Sequence, residues 1–367
     1  MVDFELSEEQ AALREASRDL LTSYCPPHLV RSVLDAGLDV DEKLWSRGAR
    51  MGWTGLATPE AQGGSEQGLV ELCLVAEELG RAAAPGPFVE TALASMSAAW
   101  GGPDLSDLAV RAATELGEGR LKAGFVHHGS LTARREGQHL VLSGRATAVH
   151  AAACTDWLLV TLTGDEPYVL LAPTSAARTE RRTTLDLTRS WYDVVFDDVA
   201  VTAGQVLSDR PDVANRWVDA MTVLTAADAL GVGRRLLEMT VGHVTVREQF
   251  GRPLGSFQAV KHKAADMLIT LRGLRAATYY AAMAFDAGRE DATMAAAVAK
   301  AFASERLPEV AGEALQSHGG IGFTWEHDLH LYLRRATVDS LVHGTAAHHH
   351  QRVLAHLERA AVTRQAA

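Results

Sequence analysis

Two segments in the second half of the chain carry groups suited to a phosphorylated ligand. The first runs Arg247-Glu248-Gln249-Phe250-Gly251-Arg252-Pro253 and continues to Gln258. Its leading arginine presents a rigid fork of donors that fits a pyrophosphate. The second contains Gln316 and the pair Gly319-Gly320, where the lack of side chains lets backbone N–H groups approach a ligand. The structural alternatives are a solvated arginine at a helix end and a helix C-cap followed by a turn.

Histidine is the other residue type that could carry chemistry, because the chain has 15 and four of them lie between 343 and 350. Imidazole can accept a proton or bind a metal ion. Metal ligands on a helix lie three or four residues apart on one face. His343 and His350 have alanines at that spacing, and no H-E-x-x-H motif occurs. We therefore expect no metal site and interpret the run from 348 to 350 as part of a helix tail.

Composition limits the classes of protein to which the chain can belong. Its 367 residues are 47% hydrophobic and carry a net charge of −11, which allows two or three domains and disfavours nucleic-acid binding. No apolar run is long enough for a membrane span, and the acidic start MVDFELSEEQ lacks the features of a signal peptide. Three distant cysteines disfavour a disulfide framework and favour the cytoplasm.

The elements that must position these groups follow the order helices, strands, helices. Ser7 and Gln10 form a capping-box pattern before residues with helical apolar spacing. Short runs rich in Val, Leu and aromatic residues follow, and long helical patterns resume near Asp212. The predicted fold is mainly α with a small β-domain: an N-terminal helical domain (1–118), a middle β-barrel-like domain (119–207) and a C-terminal four-helix bundle (208–367).

Five local motifs resemble those of the acyl-CoA dehydrogenase family, and they are spread over essentially the whole chain. The family patterns are P-E-x-x-G-G, E-E-x-G-R, F-D-x-V, R-x-Q-F-G-x-P-[LI]-x-x-F-Q-x-[VL] and Q-x-x-G-G-x-G-[YF]. The matching segments, in the same order, are Pro59–Gly64, Glu77–Arg81, Phe196–Val199, Arg247–Val260 and Gln316–Phe323. The two C-terminal motifs together are highly specific.

The resemblance implies a flavoenzyme that binds FAD and desaturates an acyl-CoA thioester between Cα and Cβ. In the family a carboxylate removes the α-proton and the flavin accepts the β-hydrogen as hydride. Residues matching the family's cofactor contacts are Arg247, Phe250 and Gln258 at the diphosphate of a neighbouring subunit's FAD, Gln316, Gly319 and Gly320 near its adenosine portion, and Thr345. An electron-transfer flavoprotein is the electron acceptor that the resemblance indicates.

Several positions depart from the family pattern, and all of them serve a subunit's own flavin or substrate. The catalytic glutamate of the family's Y-E-G-T segment is His343 here, and the alternative position for the base falls near Met221, which is no base. Asp219 lies two residues away, which is a different helix face. The T-E-P segment is missing, and the tryptophan and threonine of the W-I-T segment are replaced by Ala148 and His150.

This pattern of losses predicts a subunit that lacks its own catalytic base and clamps the FAD of a partner. The groups that act on the neighbouring subunit's FAD are intact, whereas those that act within the subunit are lost. Bacterial heterotetrameric (α2β2) acyl-CoA dehydrogenases, notably those that shorten steroid side chains, contain such non-catalytic subunits. The chain would then act in the cytoplasm with a second dehydrogenase-like subunit on an acyl-CoA substrate.

Three alternatives remain open at the level of the sequence. A flavin-dependent monooxygenase on the same fold also lacks the glutamate and can use histidines near the flavin. A homomeric dehydrogenase could use His343 as its base, although the pKa and reach of an imidazole differ from those of a carboxylate. A scaffolding protein without redox function would bind no flavin, and the intact Arg247 motif argues against it.

Overall fold

The computed structural model describes residues 5–101, 105–137 and 139–366 of the chain. The N-terminal part is helical, and the predicted capping box is present: Ser7 Oγ accepts the Gln10 N–H at 3.1 Å, and Gln10 Oε1 accepts the Ser7 N–H at 3.0 Å. The helices of this part are α1 (Glu8–Tyr24), α2 (Pro27–Asp35), α3 (Glu42–Arg50), α4 (Leu69–Ala82), α5 (Phe88–Ser95), α6 (Ser97–Trp100) and α7 (Asp107–Gly117).

The middle of the chain consists of eight strands among the described residues. They are β1 (Ala123–Val126), β2 (Gly129–Glu136), β3 (His139–His150), β4 (Trp157–Leu162), β5 (Tyr168–Pro173), β6 (Arg178–Arg182), β7 (Trp191–Val201) and β8 (Val206–Ser208). They form two four-stranded sheets with the orders β1-β4-β5-β8 and β2-β3-β7-β6. β1 and β4 pair in parallel, and the other neighbouring strands pair antiparallel.

These sheets correct one part of the predicted fold, because they do not close into a barrel. Closure requires the edge strands to pair with each other. The first sheet ends on the three-residue β8 and the second on the five-residue β6, and the described strands of the two sheets share no ladder. The middle part is therefore a pair of open sheets with its own apolar core around Leu142, Val160 and Phe196.

The C-terminal part is helical, as predicted. Its elements are α8 (Pro211–Val246), β9 (Glu248–Gln249), β10 (Arg252–Pro253), α9 (Gln258–Asp286), α10 (Ala292–His318), α11 (Leu329–Asp339) and α12 (Ala346–Ala366). α10 packs against α8, α9 and α12, which together make the bundle, and α11 packs against α8 and α10. α8 also packs along α4, so a single apolar core joins the two helical parts.

The observed order of helices, strands and helices agrees with the predicted fold. The strands run from Ala123 to Ser208 and α8 begins at Pro211, close to the predicted boundaries after residues 118 and 207, which themselves stay predictions. Within the described ranges, no helix is both long enough and apolar enough to span a membrane.

Candidate functional site

A cleft of about 730 Å³ is lined by residues of the middle sheets and of the helical bundle. The sheet side contributes His127, His128, Thr147, Ala148 and Thr163. The helical side contributes Asn215, Val218, the segment 341–345, His348 and Arg352. Four imidazoles thus line the cleft, and no carboxylate is found among its described lining residues. This absence is important because removal of an α-proton calls for a base with a suitable pKa.

The turn between α11 and α12 places His343 in this cleft. His343 and Gly344 both have positive φ, at +55° and +106°, which reverses the chain sharply between the two helices. A Cβ at position 344 would lie 2.7 Å from the rings of His348 and His349, so glycine is required there on steric grounds as well. Thr345 follows the turn and lines the cleft.

Buried side chains hold the carbonyl groups of this turn. Lys300 is fully buried on α10; its Nζ donates to Gly344 O at 2.8 Å and to Ser304 Oγ at 2.7 Å. Burial lowers the pKa of this ammonium group to about 8. His349, also fully buried, donates from Nε2 to His343 O at 2.9 Å. Burial lowers the pKa of His349 to about 3, so its ring is neutral at neutral pH.

His343 is poorly suited to the role of the missing base. Its ring lies 5.8 Å from the ring of Phe125 and 5.5 Å from that of His128, measured between centroids. Burial lowers the pKa of His343 well below its ordinary value, and the nearby His128 and His127 add to this effect. The imidazole is therefore neutral at neutral pH and a weaker proton acceptor than an ordinary histidine.

Ala148 and His150 belong to the same motif in the sequence, but in the structure they face different sites. Ala148 lines the cleft at an irregularity in β3, where its φ is +55° and the pairing with β7 shifts register. His150 does not line the cleft. It is buried, and its Nδ1 lies 2.8 Å from Glu90 Oε1 on α5. His150 thus faces an inner pocket next to Trp191 rather than the cleft.

The inner pocket is small, about 40 Å³, and a buried network of charges occupies one of its walls. Arg335 donates to both oxygens of Asp228, at 3.0 and 2.5 Å, and Arg189 donates to Asp339 at 2.5 Å. Burial raises the pKa of Asp339 to about 8. Met221, near which the family's alternative position for the base falls, also lines this pocket and supplies no proton acceptor.

Asp219 faces away from the position of Met221, as the helical spacing predicts. Its carboxylate is buried and is held by Arg352 of α12 and by Thr293 Oγ1, which donates at 2.7 Å. Burial raises the pKa of Asp219. Because the hydrogen bonds from Arg352 and Thr293 engage both oxygens, this carboxylate serves to join α8 to α10 and α12.

The arginine segment lies outside the cleft, on an exposed hairpin. Arg247 is the C-cap residue of α8 and is exposed. β9 and β10 follow it and are joined by Phe250-Gly251, a two-residue turn with φ of +54° and +74°. This turn leaves the Phe250 ring 90% exposed. Gln258 begins α9 and is also exposed.

The glycine segment is exposed as well. Gln316 lies in the last turn of α10, and Gly319 follows with φ +61°. A Cβ at Gly319 or Gly320 would meet nothing within 4 Å, and Gly320 does not have a positive φ. Nothing in the described part of the chain therefore requires a glycine at position 320. Phe323, at the end of this segment, is 75% exposed.

Of the predicted site residues, the structure places only His343 and Thr345 in the chain's own cleft. The other six are exposed and lie either between the end of α8 and the start of α9 or between the last turn of α10 and Gly320. These two segments are joined by a ring stack between His243 and His318, whose centroids are 4.6 Å apart. Among the described residues, no group of three or more His, Cys, Asp or Glu side chains is arranged to hold a metal ion.

Sequence reasoning missed Lys300 and the buried charge network. A signal for Lys300 was available, because a lone lysine interrupts the alanine-rich run from Ala295 to Ala303 and a charge in such a run is normally buried only when it is paired. No comparable signal existed for the network. Its partners Arg189 and Asp339 lie 150 residues apart.

Comparisons with known proteins agree with this fold and with the motifs. The family models described as acyl-CoA dehydrogenase N-terminal domain and C-terminal domain match residues 7–111 and 212–358. The acyl-CoA dehydrogenase IpdE2 of Mycolicibacterium smegmatis is 33% identical over 342 residues, which cover 93% of this chain and 94% of that protein. The chain therefore belongs to the acyl-CoA dehydrogenase family. The members of this family are FAD-dependent oxidoreductases.

Two solved structures are similar over nearly the whole length. The ChsE4-ChsE5 complex from Mycobacterium tuberculosis superimposes with a TM-score of 0.90 at 27% identity, covering 97% of this chain and 99% of the matched chain. A Tcur3481-Tcur3483 steroid ACAD superimposes with a TM-score of 0.89 at 29% identity, with the same coverage. Both of these structures are named as pairs of proteins.

Proposed function

We propose that this chain is the non-catalytic subunit of a heteromeric acyl-CoA dehydrogenase and that it clamps the FAD of its partner subunit. The observation that carries the proposal is the division of the site residues. The chain's own cleft contains a neutral His343 in place of a carboxylate, and Ala148 in place of the tryptophan. The two segments that reach toward a neighbouring subunit keep the family residues and lie exposed.

The exposed segments fit the polar end of FAD. The Arg247 guanidinium supplies a planar pair of donors for the diphosphate. Gln258 adds an amide, and the open backbone at Gly319 and Gly320 permits close approach by the adenosine portion. Phe250 supplies an apolar face that solvent covers in the isolated chain. FAD, when bound, accepts hydride from Cβ of the thioester, while this chain binds and orients its diphosphate.

The inner pocket also supports a non-catalytic role for this chain. Arg189, Asp228 and Arg335 line the pocket together with His343, and Asp339 pairs with Arg189 behind this wall. This pocket, about 40 Å³, is far smaller than the cleft of about 730 Å³. An acyl chain does not fit without displacing buried, paired charges, which is costly. We infer that the acyl-CoA binds to the partner subunit.

The names of similar proteins supply a substrate class and a partner for the proposal. The ChsE4-ChsE5 complex and the Tcur3481-Tcur3483 steroid ACAD are pairs, and we infer an α2β2 assembly with a second dehydrogenase subunit. The substrate class that we propose is a steroid-derived acyl-CoA, with an electron-transfer flavoprotein as acceptor. A cytoplasmic location, expected from the cysteine content, is part of the same proposal.

The experiment is co-expression of this chain with neighbouring dehydrogenase-like chains, followed by native mass and a flavin absorbance spectrum. We expect an assembly with about one FAD per heterodimer and dehydrogenase activity on an acyl-CoA, while the isolated chain binds little FAD and shows no activity. A yellow, active homomer would show that His343 serves as a base. Oxygen consumption with reduced flavin would indicate a monooxygenase, and no flavin with any partner would indicate a scaffold.

A matched pair of arginine variants tests the clamp itself. Arg247→Ala removes a charge-assisted contact worth about 1.5–3 kcal/mol, so the FAD affinity of the complex should fall about 10- to 150-fold. Arg210→Ala is the control, because Arg210 is an exposed arginine at the other end of the 36-residue α8. Equal FAD affinity of the two variants would refute a clamp at Arg247.

A further inference from the structure

A stack of histidines connects the two exposed segments that the proposed function assigns to the partner's FAD. His318 lies between Gln316 and Gly319, and His243 lies one helical turn before Arg247. The two imidazole rings stack with centroids 4.6 Å apart and planes 23° apart. A residue of the glycine segment and a residue one turn before the arginine segment are thus in direct contact, although they are 75 positions apart in sequence.

His318 is held firmly at this junction. Its side chain is 5% exposed, and Nδ1 lies 2.8 Å from the Ala314 carbonyl oxygen one turn earlier, to which it donates. A third imidazole, that of His327, packs edge-on against it at 4.9 Å. Gly322 lies against the same residue, since a Cβ there would be 3.0 Å from the His318 Cβ. His318 therefore contacts the end of α8, the glycine segment and the approach to α11.

We propose that His318 is a positioning residue: stacked on His243, its ring sets the separation between the arginine segment and the glycine segment so that both contact one FAD of the partner subunit. The inference rests on the proposed function. Neither imidazole needs to touch the cofactor. The Arg247 backbone is tied to His243 because the Arg247 N–H donates to His243 O at 2.9 Å, and Gly319 directly follows His318 in the chain.

Two alternative origins of the stack predict different behaviour. If the His318 ring positions the two segments through packing, a flat apolar ring of similar size at position 318 should preserve FAD binding. If the stack only fills space in the core of the bundle, its loss lowers the stability of the fold without a specific effect on FAD. Phenylalanine at position 318 keeps the stack and loses the Nδ1 donor, whereas alanine loses both.

The test uses the co-purified complex and measures the rate of FAD release by the recovery of flavin fluorescence. Aromatic pairs contribute modestly, so we expect His318→Ala to raise this rate about three- to tenfold and His318→Phe to stay within about twofold of the wild type. His243→Ala should match His318→Ala, and the double variant should add nothing, because each single change already breaks the stack. His139→Ala, an exposed histidine at the start of β3, is the control.

The outcomes separate this inference from the proposed function. If Arg247→Ala leaves FAD release unchanged, the clamp itself is wrong. If Arg247→Ala speeds release and His318→Ala does not, the clamp stands and the positioning role of His318 is overturned. The role is also overturned if His318→Phe is as defective as His318→Ala, or if the effects of His243→Ala and His318→Ala are additive. His243→Ala keeps the test decisive should His318→Ala fail to fold, because His243 is only partly buried.

Discussion

The buried neutral histidines beside the cleft should make the fold sensitive to acid, and His349 gives the sharpest test. Its side chain is fully buried, and it donates from Nε2 to His343 O at 2.9 Å. Burial lowers the pKa of His349 to about 3 from its ordinary value of 6.5. Unfolding exposes the ring and restores its ordinary pKa. Below about pH 6.5 the unfolded chain therefore binds a proton at His349, whereas the folded chain does not.

The sign and size of the effect follow from this difference. Because the pKa is depressed in the folded state, the contribution of His349 to stability is complete above about pH 6.5 and is lost as the pH falls toward about 3. One pKa unit corresponds to 1.36 kcal/mol. At about pH 5 the gap from 6.5 is roughly 1.5 units, so His349 alone should account for a loss of about 2 kcal/mol relative to neutral pH.

The assay compares the wild type with one variant at two pH values, because a single pH profile of the wild type would not isolate His349. Other groups titrate in the same range, since the raised pKa of Asp339, about 8, gives a slope of the opposite sign. Chemical denaturation of the wild type and of His349→Gln at about pH 7.5 and pH 5 removes this background. Glutamine keeps an amide donor near His343 O and does not titrate. We expect the variant to lose about 2 kcal/mol less than the wild type on acidification.

A surface histidine provides the control, and two results would refute the reasoning. His139→Gln replaces an exposed ring at the start of β3 and should leave the pH dependence of stability unchanged. If His349→Gln loses as much stability on acidification as the wild type, the buried ring does not stay neutral. A smaller but equal change in both variants would point to the loss of any histidine rather than to burial.

Two further predictions concern the buried charges. Arg335→Met removes the two hydrogen bonds to the buried Asp228 and leaves it only the longer ion pair with Arg189, at 3.8 Å. This change should cost about 3 kcal/mol of stability in chemical denaturation, most of which the additional change Asp228→Leu should restore; a double variant as unstable as the single one would contradict this. The pKa of Lys300, lowered to about 8 by burial, means that the unfolded chain binds more protons above pH 8. Wild-type stability should therefore rise by about 2 kcal/mol relative to Lys300→Met between about pH 8 and pH 10, and parallel curves would contradict the buried ammonium group.

Much of the architecture could be predicted from local sequence signals. The capping box at Ser7 and the order of helices, strands and helices are confirmed. The barrel-like middle domain is confirmed as a β-domain but not as a closed barrel, because no ladder joins the described strands of its two sheets. Hydrophobic alternation identifies strands but does not show which edges meet.

The site could be predicted only where its residues lie in one continuous motif. His150 was expected beside Ala148 because the two are separated by a single residue in an aligned segment. The irregularity in β3 between Ala146 and Val149 changes the register, and His150 points to Glu90. A bulge of this kind reorients side chains without a clear signal in the sequence.

The structure also shows which residues that match the family motifs are informative about function and which are not. Gly344 has a positive φ and no room for a Cβ, so it would be retained in any protein with this turn, whether or not residue 343 is a catalytic base. Gly320 has neither constraint, and the Phe250 ring is 90% exposed in the isolated chain. Within the described part of the chain, packing does not explain a glycine at position 320, and Phe250 has only an edge-on contact with the Phe257 ring. The proposed function accounts for both residues, because it assigns them to a cofactor held jointly with a second subunit.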